Sequence, residues 1–112
     1  MYPTLEHIYQ ASKTDDLALR RDIARAGTPG KAKRMGHTVP LRPDWDRVKL
    51  KAMHELLWIK FCDPELRAKL LATGDAMLVE ANDWGDTYWG QCNGVGQNWL
   101  GVLLMLVRSE VS

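Results

Sequence analysis

Apolar and polar positions follow a helical period over most of this chain, broken by short runs of Gly, Pro, Asp and Asn. Thr4 stands where a cap would precede a first helix over about 5–13. A second helix covers about 16–26 and stops at Gly27, the residue type favoured just past a helix end. Thr28 as cap and Pro29 as first residue restart a short helix that ends near Gly36. Pro40 and Pro43 then hold 37–43 extended, because the residue before a proline is pushed out of the helical region. The longest helix, about 44–61, carries Trp45, Val48, Met53, Leu56, Leu57 and Phe61 as a rough apolar stripe. Asp63 and Pro64 open a fifth helix to about Ala72, closed by Gly74. Met77, Leu78 and Val79 read as a short strand. Residues 82–97 keep neither period. The last helix, about 98–109, is apolar almost all round, which places it in a core with Asn98 as its cap. The pattern predicts a mostly helical α+β fold: one domain over 1–112, with a long Gly- and Trp-rich loop before a buried C-terminal helix.

Composition narrows the class. A hydrophobic fraction of 46% with 26% charged residues suits a folded globule. A net charge of +1 gives no argument for a nucleic-acid or acidic-membrane partner beyond what a local patch would supply. Cys62 and Cys92 lack CxxC spacing, and His7, His37 and His54 are scattered, so neither a metal site nor a disulfide framework is expected. No leader is legible at the N-terminus, and the apolar run at 102–107 is too short to span a bilayer. The expectation is a cytoplasmic protein without metal, cofactor or membrane partner.

Three stretches could carry chemistry. Glu6, Gln10 and Lys13 fall at i, i+4 and i+7, so a helix stacks them on one side, with Leu5, Ile8 and Ser12 on another. A carboxylate, an amide and an amine in a row suit an active-site wall, and equally suit a solvated face with an ordinary ion pair. The loop 82–97 is long for a compact domain and holds Trp84, Trp89, Tyr88, Asp83, Asp86 and four glycines. Aromatic faces stack on bases, acids bond sugar hydroxyls, and glycines admit a ligand to the backbone. The same tryptophans could simply cover a core. Gly94 and Gly96 lead into the last helix, whose first N–H groups could meet a phosphate. Lys31, Lys33, Arg34 and Arg42 form a basic cluster, either a phosphate holder or a solvated surface.

Taken together, these stretches resemble the NADAR family. The run Tyr2-Pro3-Thr4-Leu5-Glu6-His7-Ile8-Tyr9-Gln10-Ala11-Ser12-Lys13 is similar to its Thr-x-Glu-His-x-x-Gln-Ala-x-Lys signature. Lys31 to Gly36, Pro40 to Trp45, Lys60-Phe61, Leu78-Val79-Glu80, Asp86 to Gly90, and Gly96 to Gly101 with Leu104, Met105 and Arg108 continue the family's order of blocks. The resemblance implies an N-glycosidase that removes ribose 5-phosphate from a pyrimidine amine of the early riboflavin pathway. Its rivals are removal of ADP-ribose from guanine in DNA or RNA, and a nucleotide-sugar-binding module without turnover. The implied catalytic residues are Glu6, Lys13 and Asp86. The implied substrate-binding residues are Gln10, Arg34, Trp84, Trp89, Gly96 and Asn98. The implied partner is a small ribosylamine or ADP-ribosyl substrate, with nucleic acid as the alternative, and the protein is expected as a monomer or homodimer. Family members carry some tens of residues, with an Asn-Phe-Ser stretch, before the block that starts here at Thr4. This departure motivates the inactive-binder rival and leaves the strand at 77–79 without an evident partner.

Overall fold

The computed structural model describes residues 2–112 as six helices and two short strands: α1 (Leu5–Ala11), α2 (Leu17–Ala24), α3 (Pro29–Gly36), α4 (Trp45–Lys60), α5 (Pro64–Ala72), β1 (Ala81–Asn82), β2 (Gln91–Cys92) and α6 (Trp99–Val111). The chain divides into two units, Met1–Ala52 and Met53–Ser112, with the boundary inside α4.

The first unit packs α1, α2 and α3 around Ala11, Ile23, Ala26 and Ala32, with Tyr2, Met35 and Val39 laid against them. Alanines at the contact let short helices approach closely. Each helix starts on a side-chain cap. Thr4 accepts from the His7 amide, Asp16 from those of Ala18 and Leu19, and Thr28 from that of Lys31. Such caps contribute about 1 kcal/mol apiece, which matters for helices of seven or eight residues. His7 is fully buried and ties α1 to the end of α2. Its Nε2 faces the Ala26 carbonyl at 2.9 Å, which can only accept, so Nε2 carries the proton. Nδ1 then accepts from the Thr4 hydroxyl at 2.6 Å.

The buried side of α1 is not the expected one. His7, Gln10 and Ala11 face inward, whereas Leu5, Ile8 and Ser12 are only half-buried. Gly36 explains the buried glutamine. A Cβ at position 36 would collide with the Gln10 amide, so the bare glycine makes the room that the amide fills. The helix also stops at Ala11 rather than at 13. Ser12 caps it, its Oγ bonding the Tyr9 carbonyl at 2.6 Å, and the amides of Lys13 and Thr14 reach back three residues.

The second unit buries Leu56, Leu57, Phe61, Leu70, Leu103, Val107 and Val111. Cross-links join its helices. Glu110 Oε1 takes the His54 Nε2 at 2.6 Å and the Trp58 indole N–H at 3.1 Å, and Arg67 donates to the Val111 carbonyl at 2.8 Å. The α6 helix is not buried all round. Val102 and Leu106 are exposed while Gly101, Leu103, Val107 and Val111 face in.

The strand predicted at 77–79 does not form. Two-residue strands β1 and β2 pair in parallel, Ala81 beside Gln91 and Asn82 beside Cys92. The reason is that the Leu78 carbonyl and the Glu80 amide bond the Asn98 side chain instead of a neighbouring strand.

The close packing at Gly36 gives a stability prediction. Gly36→Ala should lose about 1–3 kcal/mol through overpacking against Gln10. Gly27→Ala, where a Cβ meets nothing within 4 Å, should be neutral or slightly stabilising. Urea denaturation of both variants beside the parent checks the contrast.

Candidate active site

The nominated residues fall into two sets, one in each unit. In the first, Glu6 lies in the opening turn of α1, half-exposed, and its carboxylate has no hydrogen bond among the described residues. Gln10 is 2% exposed, and its Oε1 is buried without a partner among the described residues. Lys13 sits past the helix end, its Nζ 5.6 Å from the centre of the Tyr9 ring. Tyr9 in turn meets buried Trp45 edge-on at 5.5 Å.

The Lys13 ammonium is destabilised chiefly by burial, which lowers its pKa from 10.5. The Glu6 carboxylate pulls the other way, and the Lys33 charge adds to the lowering. The Glu6 charge is thus felt at Lys13, which lies past the end of α1 rather than on its helical stripe. Arg34, by contrast, is exposed and packs back toward Gly30, without a hydrogen bond or ion pair among the described residues.

Residues outside the nominated set hold this turn in place. The Arg42 amide donates to the Lys13 carbonyl at 2.7 Å, and Arg20 Nε donates to the Thr14 carbonyl at 2.6 Å. Arg42 is itself fixed by two bonds to Asp44, at 2.6 and 3.0 Å, which also hold the Asp44 carboxyl below its ordinary range. Only the basic cluster hinted at Arg42, and nothing local to Lys13 in sequence pointed to a carbonyl anchor.

In the second unit Asp86 organises the loop. Its Oδ1 accepts from the amides of Tyr88 and Trp89 at 3.1 and 2.9 Å. Asn82 brackets Asp86, donating to its carbonyl and accepting from its amide at 2.8 and 3.0 Å. Asn82 went unnoticed in the sequence, although two turn-forming side chains four residues apart are the usual signal for such a bracket. Trp84 is 71% exposed at the loop tip, whereas Trp89 is half-buried and meets Tyr88 edge-on at 4.9 Å.

The expected phosphate cradle at the start of α6 is already filled. The amides of Gln97, Asn98, Trp99 and Leu100 donate to the carbonyls of Thr87, Gly90, Tyr88 and Trp89. These are the N–H groups a helix start would offer an anion, and here a turn of the same loop takes them. Gly96 therefore serves close packing: with φ at 148°, a Cβ there would strike the Gly90 carbonyl. Asn98 is not a side-chain cap. It is 5% exposed, left-handed, and its amide bonds Leu78 and Glu80.

Two hollows, of about 400 and 190 Å³, are lined by other residues, around Arg108 in one unit and Arg20 in the other. Among the described residues no group of three His, Cys, Asp or Glu is placed to hold a metal ion, and no helix is long and apolar enough to cross a membrane.

With this geometry in place, the sequence profile of the NADAR domain matches residues 1–112. The chain belongs to the NADAR domain family. It is 45% identical over 115 residues to N-glycosidase YbiA of Shigella boydii serotype 4, covering 99% of this chain and 71% of that protein. It is 38% identical over 124 residues to the riboflavin biosynthesis protein PYRR, chloroplastic, of Zea mays, covering 98% of this chain and 20% of that protein. The NMR structure of the E. coli protein YbiA superposes with a TM-score of 0.88 at 45% identity, covering 98% of this chain and 67% of that one. For a NADAR domain the helical α+β architecture is thereby established.

The Lys13 environment predicts a pH signature. Between its lowered value and 10.5 the unfolded chain binds the proton that the folded chain has lost, so folding stability rises with pH in that window. Lys13→Met should gain stability near pH 7, and its advantage should shrink toward pH 10. Denaturation of both proteins across this range measures the difference directly.

Proposed function

We propose that this NADAR domain hydrolyses the C–N bond between a ribose 5-phosphate and a pyrimidine amine. The coarser statement is plain: the chain is a hydrolase of N-glycosyl bonds, of a kind with relatives 45% identical over nearly its full length that bear that name. The pyrimidine substrate is favoured by the relative named for riboflavin biosynthesis.

One observation supports the roles best, namely a desolvated amine at Lys13 under the field of the Glu6 carboxylate. Burial increases the neutral fraction of that amine, which is the nucleophilic form. Lys13 Nζ, as the free amine, attacks C1 of the protonated imine to which the ribosylamine ring opens, forming a new C–N bond. The old C1–N bond breaks, and the pyrimidine amine leaves with the proton released by Nζ. Water then adds to the protonated imine, freeing ribose 5-phosphate and restoring the lysine amine. Positive charge develops at C1 and nitrogen along this path, and Glu6 stabilises it and relays protons.

The test is release of ribose 5-phosphate from a ribosylaminopyrimidine phosphate by the parent and by Glu6→Gln. Release by the parent, falling at least about 100-fold in the variant, is the expected result. Full activity in Glu6→Gln would remove Glu6 from the mechanism. Release of ADP-ribose from modified guanine, with none from the pyrimidine, would replace the substrate.

A further inference from the structure

Within the first unit, the turn after α1 brings two arginines to one carboxylate. Arg20 Nε donates to the Thr14 carbonyl at 2.6 Å, and Arg42 gives its Nε and Nη2 to Asp44 at 2.6 and 3.0 Å. Each guanidinium is thereby fixed along one edge. The nitrogens left over, Arg20 Nη2 and Arg42 Nη1, stand 3.7 and 3.6 Å from the same oxygen, Asp15 Oδ1. Neither distance is a hydrogen bond. Both arginines are half-buried, whereas the Asp15 side chain is 64% exposed. Its carboxylate has no hydrogen bond among the described residues.

Asp15 is not what holds this turn together. The Asp16 amide bonds Thr14 Oγ1 at 3.1 Å, Asp16 Oδ1 caps α2, and the Arg42 amide takes the Lys13 carbonyl. An exposed ion pair adds at most about 1 kcal/mol to that frame. The gap between the guanidiniums suits a larger oxyanion better. A single carboxylate oxygen lies between them and reaches neither. A phosphate presents several acceptor oxygens, which can meet both forks at the about 2.8 Å of a charge-assisted bond. Arg20 also lines the hollow of about 190 Å³ formed with Tyr2, Ile8, Ala11 and Ser12, so open space adjoins the pair.

We propose that Arg20 and Arg42 form a phosphomonoester site, which the Asp15 carboxylate fills in the free protein and leaves when the ligand arrives. Asp15 can leave because its side chain is exposed and the backbone on either side of it is held without it. The phosphate then replaces two long ion pairs by short bonds to groups already fixed in place. The site does not depend on the N-glycosidase reading. That reading supplies one carrier of the phosphate, a sugar 5-phosphate, and free phosphate is the other.

The probes are inorganic phosphate, ribose 5-phosphate, ribose and acetate, each titrated calorimetrically into the full chain. Phosphate and ribose 5-phosphate should bind, and ribose and acetate should not. Asp15→Asn removes no hydrogen bond, so it should melt with the parent, yet it should tighten phosphate about 3- to 10-fold. Asp22→Asn, an exposed loss of the same charge on α2, should leave the affinity near the parent's and so separates a local plug from net charge. Arg20→Gln should weaken phosphate at least about 10-fold and abolish the gain from Asp15→Asn, whereas the exposed Arg21→Gln should do neither. Tighter binding of ribose 5-phosphate than of phosphate would support the site with the sugar phosphate as carrier. Equal binding would support it with free phosphate. No binding of either by the parent would overturn the proposal, as would affinities that Asp15→Asn and Arg20→Gln leave unchanged. Turnover of the ribosylaminopyrimidine phosphate, followed separately, decides the enzymatic reading whatever the titrations give.

Discussion

The Asn98 side chain is the constraint on which the second unit depends. Its amide has one donor face and one acceptor face, and the extended strip at 78–80 presents one carbonyl and one amide at the matching spacing. Meeting that strip forces the left-handed backbone at the start of α6 and leaves the helix without a side-chain cap. Gly101 must then be bare because the Asn98 amide and the Leu78 carbonyl occupy the space where its Cβ would be. The exposed helix amides need acceptors, since unpaired backbone donors are costly, and the turn at 87–90 supplies four carbonyls. Asp86, clasped by Asn82, shapes that turn. One side-chain bridge thus accounts for the glycines, the loop and the first turn of the last helix.

The first unit has its own centre in His7 and Gln10. His7 fixes the start of α1 with a single tautomer, so Glu6 beside it is carried on a rigid turn. Gln10, seated against Gly36, brings α1 and α3 close enough for the Lys33 charge to be felt at Lys13. Arg42 and Arg20 hold the turn that bears Lys13 by its carbonyls. The proposed nucleophile is therefore placed by backbone bonds, and its ammonium is made less favourable by burial.

The helices and their caps were legible because their causes are local. Thr4, Thr28 and Asp63 each bond an amide two or three residues on, and sequence spacing shows that directly. The misses have long-range causes. Gln10 was placed on a polar face because Gly36, which makes room for it, lies far along the chain. The apolar run at 77–79 has strand character, but its neighbours' backbone groups are claimed by a side chain 18 and 20 residues away. Helix period alone predicted Lys13 on α1, whereas Ser12 ends the helix through its own hydroxyl. The candidate site followed the same rule. Residue types and the family resemblance bring Glu6, Lys13 and Asp86 forward, whereas the bonds that occupy Asp86 Oδ1 and both polar atoms of the Asn98 side chain come from backbone groups that only the fold brings near.

The claim that most of this account rests on is that Lys13 is a reactive amine set apart from the other lysines. Reductive trapping measures it directly: incubation with ribose 5-phosphate and cyanoborohydride at about pH 8, then peptide mapping by mass spectrometry. The account predicts one dominant adduct, on Lys13, suppressed when ribose 5-phosphate is replaced by a sugar without the phosphate. Adducts spread over the exposed Lys31, Lys51 and Lys69, with Lys13 unmodified, would contradict it.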